Sequence, residues 1–171
     1  MKRRLINFLL VFGVLIVVFS TSCIKTDDIE YTPEREQQLF NDYVARLKQA
    51  GHTVEKTASG INYVIIEQGS GNFPVMGDTV SVQYAGYFVT GELFDASLYH
   101  STDSSLHFVY RDPEMIKGWD EMIGKMNTGK KVEFIVPSNL AYGSTGYGNV
   151  PPYTSLIFVA KMIRIKPKAN Q

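Results

Sequence analysis

Two phenols and one carboxylate stand among apolar residues in this chain. Tyr84 lies in the run Val80–Phe88, Asp95 directly follows Phe94, and Tyr142 sits in a stretch with Gly143, Gly146 and Gly148. Polar groups set against apolar surface must find partners, because each one buried alone costs about 1–3 kcal/mol. An isolated tyrosine or phenylalanine on an inner strand face, such as Tyr84 or Phe158, is ordinary core. With Asp95 and Tyr142 in company, a cleft open to a ligand accounts for the set better than a dry core does. The chemistry such a cleft supports is hydrogen bonding at an apolar surface. Other chemistries lack their residues. His52, His100 and His107 are scattered, and no His/Cys/Asp/Glu spacing points to a metal site. Ser138 lies in Pro137-Ser138-Asn139, which is not a nucleophile elbow. The loop glycines are followed by neither the helix nor the lysine of a phosphate cradle. No cofactor is expected.

The elements that must position these groups follow from periodicity. From Gly60 on, apolar residues alternate. Residues 61–67 predict a first strand, and 79–89 a second with Val80, Val82 and Tyr84 on one face. Residues 130–137 place Val132, Phe134 and Val136 together, and 155–165 do the same for Leu156, Phe158, Ala160 and Met162. The phase turns Tyr84 and Phe158 inward and His107 outward. Ile116, Trp119, Met122 and Ile123 predict one short helix near 116–125. Strands with one short helix give an α+β fold, an antiparallel sheet curled over that helix.

Ahead of the sheet, Thr32-Pro33-Glu34 supplies a hydroxyl N-cap, a proline at the first helical position and an acid in the first turn. Leu39, Phe40, Tyr43, Val44 and Leu47 form one stripe, and Gly51 is a C-terminal cap. The stripe is expected to dock on the following domain; a dimerisation helix is the sharper alternative, so the chain is expected as a monomer or weak dimer.

The N-terminus has the layout of an export signal: Lys2-Arg3-Arg4, then an apolar run from Leu5 to Phe19, then small polar residues and Cys23. Cys23 is the one cysteine of the chain, at the position where lipoproteins carry an acylated thiol. The apolar run is short for the ~20 residues of a membrane span. The expected organisation is a signal peptide over 1–22, a lipidated cysteine and tether over 23–31, an amphipathic helix over 32–51 and a domain over 60–166. Lipid on Cys23 would hold that domain at a bilayer surface rather than across it. Ile24 after the cysteine favours the outer membrane of a bacterial envelope. The 171 residues, 44% hydrophobic and 20% charged, suit one globular domain with appendages. Basic and acidic residues balance at 17 each, and no basic patch emerges, so nucleic-acid binding has no support.

Five runs carry a resemblance: Val82–Phe88, Gly91–Ser97, Met115–Trp119, Ala141–Gly146 and Pro151–Phe158. In this order and at this spacing they resemble the FKBP family of peptidyl-prolyl isomerases, the macrolide-binding immunophilins, over roughly residues 60–166. The resemblance implies a strongly twisted antiparallel sheet wrapped on one short helix. It also implies rotation about Xaa-Pro bonds of polypeptide substrates, and macrolides as possible inhibitors. The catalytic residues it implies are Tyr84, Phe94, Asp95, Ile116, Trp119, Tyr142 and Phe158. Trp119 would be the floor under a proline ring, and Tyr84, Phe94, Phe108 and Phe158 its walls. Met115 and Ile116 would form the rim, the Ile116 N–H and the Tyr142 hydroxyl each bonding a substrate carbonyl. Asp95, bonded by the Tyr84 hydroxyl, would shape the polar end. Leu106, Phe108, Met115, Tyr147 and Val150 complete the substrate contacts. Three departures are expected to matter. Leu106 replaces an aromatic wall, the loop 98–105 lacks the arginine that often pairs with the aspartate, and the tip 147–150 is one residue short. The alternative function is a catalytically weak module that holds a proline-bearing partner.

Overall fold

The structure, a computed structural model, describes residues 30–169. The export-signal run, Cys23 and the tether through residue 29 lie outside the described residues.

The first helix, α1 (Pro33–Gln49), begins where its capping chemistry dictates. The Thr32 hydroxyl accepts the Arg35 N–H at 3.2 Å, Pro33 opens the first turn, and Glu34 and Glu36 face the positive end of the helix. Gly51, at φ 86°, reverses the chain after the last turn, in a conformation that only glycine adopts at no steric cost. Phe40 buries its ring with Ile135 and Ile157 of the sheet, flanked by Tyr43, Val44, Tyr87 and Val89. The apolar stripe is therefore docked on the chain's own sheet.

Seven strands follow: β1 (Glu55–Lys56), β2 (Asn62–Glu67), β3 (Thr79–Phe88), β4 (Leu93–Ala96), β5 (Leu106–Val109), β6 (Lys131–Val136) and β7 (Leu156–Lys166). All pairings are antiparallel, in the order β1-β2-β6-β7-β3-β4, and β5 also pairs with β3. β4 and β5 share one edge of β3, β4 along Ala85–Tyr87 and β5 along Thr79–Val82. β1 escapes periodicity because two exposed residues show no alternation.

One face of the sheet wraps the short helix α2 (Lys117–Ile123). Val80, Val82, Val132, Phe134, Leu156 and Met162 close over Trp119, Met122 and Ile123, all at or below 2% exposure. The fold is α+β, an antiparallel sheet curled on one helix. Among the described residues, no helix is long and apolar enough to cross a membrane.

Candidate functional site

Where α2 meets the sheet, packing stops short of closure and leaves a cavity of about 690 Å³. Its walls come from five elements brought together by the curl. β3 supplies Tyr84, β4 supplies Phe94 and Asp95, β5 supplies Leu106 and β7 supplies Phe158. Met115, Ile116 and Lys117 enter from the start of α2, with Trp119 one turn below. The loop after β6 adds Asn139, Ala141, Tyr142, Gly143 and Tyr147.

The rings are packed edge to face. Trp119 lies 5.0 Å from Tyr84 at 69° and 5.2 Å from Phe158 at 67°, and Phe94 meets Phe158 at 5.8 Å and 78°. Such arrangements set the positive edge of one ring on the negative face of another. Gly86 makes the Phe94–Phe158 contact possible. A β-carbon there would sit 2.8 Å from Phe94 Cζ and 3.1 Å from Phe158 Cε1. That glycine is a site residue that periodicity could not single out, since its contribution is the absence of a side chain.

The polar end is built on Asp95. The Tyr84 hydroxyl donates to Oδ2 at 2.5 Å, as the resemblance implied, while Oδ1 accepts the Ala96 N–H at 2.8 Å. His100 Nε2 also stands 2.8 Å from Oδ1, and its ring lies over Tyr84 at 6.4 Å and 22°. The partner expected to be missing from loop 98–105 is therefore a histidine, which sequence reasoning had set aside as scattered. Burial, then the hydrogen bond and charge of Asp95, push the Tyr84 phenol far above the usual range, so Tyr84 remains a donor.

Opposite, Tyr142 stacks on Tyr147 at 5.2 Å and 16°. Its hydroxyl has no hydrogen-bond partner among the described residues, and burial, followed by the nearby Tyr147 and Asp95, raises its pKa. The Ile116 N–H, at the N-cap of α2, likewise has no acceptor among the described residues. Both residues line the cavity, so it holds two donors uncommitted among the described residues. Below the rim, Asp120 Oδ2 accepts the Met115 N–H at 3.0 Å and holds that turn. Asp120 Oδ1 and Trp119 Nε1 are buried without partners among the described residues, and burial raises the Asp120 pKa.

Two expected contacts fall outside the cavity. Phe108 shares the inner face of β5 with Leu106 but lies one pleat further along, against Trp119 at 6.3 Å. It backs the floor rather than forming a wall. Val150 is 7% exposed, and exchanges both backbone hydrogen bonds with Tyr147 at 2.9 Å. The tip 147–150 is thereby a tight turn whose apolar residue points into the core, leaving Tyr147 72% exposed at the mouth. Among the described residues, no cluster of His, Cys, Asp and Glu could hold a metal ion.

Comparison with known proteins meets this geometry. Residues 70–163 match the family of the FKBP-type peptidyl-prolyl cis-trans isomerases. The chain belongs to that family. It is 34% identical over 108 residues to FK506-binding protein 1 of Dictyostelium discoideum, covering 63% of this chain and 99% of that one. It is 32% identical over 114 residues to the FKBP-type peptidyl-prolyl cis-trans isomerase FkpA of Escherichia coli, covering 67% of this chain and 41% of FkpA. The chain thus spans about two fifths of the length of that relative. A crystal structure of a peptidyl-prolyl cis-trans isomerase from Pseudomonas syringae superposes with a TM-score of 0.66 at 28% identity, covering 81% of this chain and 98% of that one.

Proposed function

We propose that this chain catalyses cis–trans rotation about Xaa-Pro bonds in polypeptides of the cell envelope and thereby aids their folding. The observation that carries this is the aromatic cavity with two uncommitted donors, the Tyr142 hydroxyl and the Ile116 N–H, at its rim. The proline ring rests on Trp119 between Tyr84, Phe94 and Phe158. Tyr142 and Ile116 bond the carbonyls on either side, and Leu106, Met115 and Tyr147 contact the flanking residues.

The uncatalysed barrier is about 18–20 kcal/mol because twisting the amide breaks its resonance. The planar amide is the more charge-separated form, so an apolar pocket disfavours it relative to the twisted one. Fixed donors at the rim hold the chain in register for rotation. A thousandfold acceleration requires only about 4 kcal/mol of such differential stabilisation. No nucleophile or general base enters the reaction.

The export-signal run, Cys23 and the polar tether support a lipid-anchored chain in a bacterial envelope, at the outer membrane. The burial of Phe40 against the chain's own sheet supports a monomer. A macrolide would compete for the same aromatic walls.

The test is prolyl exchange on a short Xaa-Pro peptide with the full chain in detergent, with and without a macrolide. Acceleration abolished by the macrolide is the expected outcome. A folded chain that binds the peptide without accelerating exchange would mark a holding module instead. Retention of Cys23→Ser in the membrane fraction would overturn the lipid anchor.

A further inference from the structure

The loop that carries Tyr142 is tied to the rest of the molecule through an unexpected residue, Glu36 of α1. Its Oε1 accepts the Ser138 N–H at 2.6 Å and the Ser155 hydroxyl at 2.6 Å, and its Oε2 accepts the Ser138 hydroxyl at 2.6 Å. Ser138 and Ser155 are 5% and 2% exposed, and they stand at the two stems of the loop, after β6 and before β7. One carboxylate from the N-terminal helix thus clasps both ends of the segment that overhangs the cavity. Hydrogen bonds to an ionised acceptor are about twice as strong as neutral ones, and three converge here.

The connection to Tyr142 is a single residue long. The Ser138 carbonyl accepts the N–H groups of Ala141 and Gly143, each at 2.8 Å, the residues on either side of Tyr142. The Gly143 carbonyl in turn accepts the Tyr153 N–H at 2.9 Å, closing the loop on itself. Ser138 is therefore held on its N–H and hydroxyl by Glu36 while its carbonyl sets the backbone around Tyr142.

We propose that Glu36 is a positioning residue for the isomerase site, and that α1 is a working part of the domain rather than a spacer. This rests on the function proposed above, where Tyr142 bonds a substrate carbonyl. With the clasp gone, the Tyr142 hydroxyl loses its fixed place at the rim while the aromatic floor is untouched.

The experiment pairs kinetics with amide exchange on the full chain. Glu36→Ala lowers kcat/KM about fivefold, the worth of one neutral hydrogen bond to substrate. Glu36→Gln, which keeps an acceptor for the Ser138 N–H, restores most of it. In a Tyr142→Phe background, Glu36→Ala changes kcat/KM by less than about twofold, because the two act through one contact. In Glu36→Ala the Ala141 and Gly143 amides exchange about tenfold faster while amides of β3 and β7 keep their protection. Equal, additive losses in both backgrounds would overturn the proposal, as would unchanged protection at Ala141 and Gly143. If Glu36→Ala does not fold, the double substitution of Ser138 and Ser155 by alanine carries the same two readouts. Amide exchange does not depend on catalysis, so a wild-type chain without activity would remove the proposed function while leaving the clasp to be judged separately.

Discussion

The two faces of the sheet use the same strands to different ends. On β7, Leu156 and Phe158 turn inward and Ile157 outward; on β6, Phe134 turns inward and Ile135 outward. The outer face is closed by a helix from the same chain, through a small cluster around Phe40. The inner face has a far larger core, yet it leaves a cavity between the aromatic floor and the residues of the Tyr142 loop. Phenols bonded to carboxylates occur on both faces, among them Tyr43 to Glu133 outside and Tyr84 to Asp95 inside. Outside, that bond seals a joint. Inside, it lines an opening. Apolar alternation alone does not separate a binding face from a packing face; the separation comes from what covers each.

The largest expected difference between the faces is in stability. Phe134 is 1% exposed at the centre of the inner core, so Phe134→Ala should cost about 3–5 kcal/mol in urea unfolding. Phe40, 9% exposed in the outer cluster, should cost about 3 kcal/mol or less. Equal costs would mean that the outer face is a second core rather than a cover. Loss of Phe40 should also slow exchange catalysis in proportion to the fraction of chains whose α1 has come away.

Sequence periodicity reached most of this architecture. The longer strands β2, β3, β6 and β7, their inward phase and the amphipathic stripe were legible because each repeats, as Val80, Val82 and Tyr84 do, whereas β1, β4 and β5 have too few residues to show a period. The cavity walls were legible through the family resemblance, which keeps its aromatics at fixed spacing. What stayed hidden depends on single contacts between distant segments. Glu36 meets Ser138 and Ser155 more than a hundred residues away, and His100 meets Asp95 only after a 3₁₀ turn at Ser97–Tyr99 swings it back. Val150, a substrate contact by the resemblance, instead turns into the core because the tip closes on Tyr147 through two backbone hydrogen bonds.

Within the site, Tyr142→Phe removes one uncommitted donor and nothing else. It should lower kcat/KM about fivefold, near 1 kcal/mol of hydrogen bonding, and leave the urea midpoint unchanged. A fall in the midpoint as well would show that the hydroxyl supports the loop rather than the substrate.

The paired phenols sharpen the contrast through pH. Burial first, and then the bonded carboxylate, raise the pKa of both Tyr43 and Tyr84 well above the usual phenol range. An unfolded tyrosine ionises near pH 10. Because the folded pKa is the higher one, the stability contributed by each group is complete below about pH 10 and is lost as pH rises from there toward the folded value. Tyr43→Phe and Tyr84→Phe should each flatten the decline in stability above pH 10 and leave its slope near pH 7 unchanged. Only Tyr84→Phe should also lower activity at pH 7. An activity loss of the same size in Tyr43→Phe would mean that the outer joint controls the cavity more strongly than the Glu36 clasp implies.

The smallest effect belongs to His100. Asp95 keeps its bonds from Tyr84 and Ala96 when the imidazole is removed, and the His100–Asp95 pair is open to solvent on both sides. Exposed pairs of this kind often contribute only about 0.2–0.4 kcal/mol, so His100→Ala should lower kcat/KM by about twofold or less. His100→Arg supplies the cation that the resemblance led one to expect in this loop, and should hold activity level. A loss in His100→Ala as large as in Tyr142→Phe would change the account of the pocket. The imidazole would then act through its stacking on Tyr84, as part of the aromatic wall, and the open side of the cavity would extend past Asp95 to the exposed Leu98 and Tyr99 beside it.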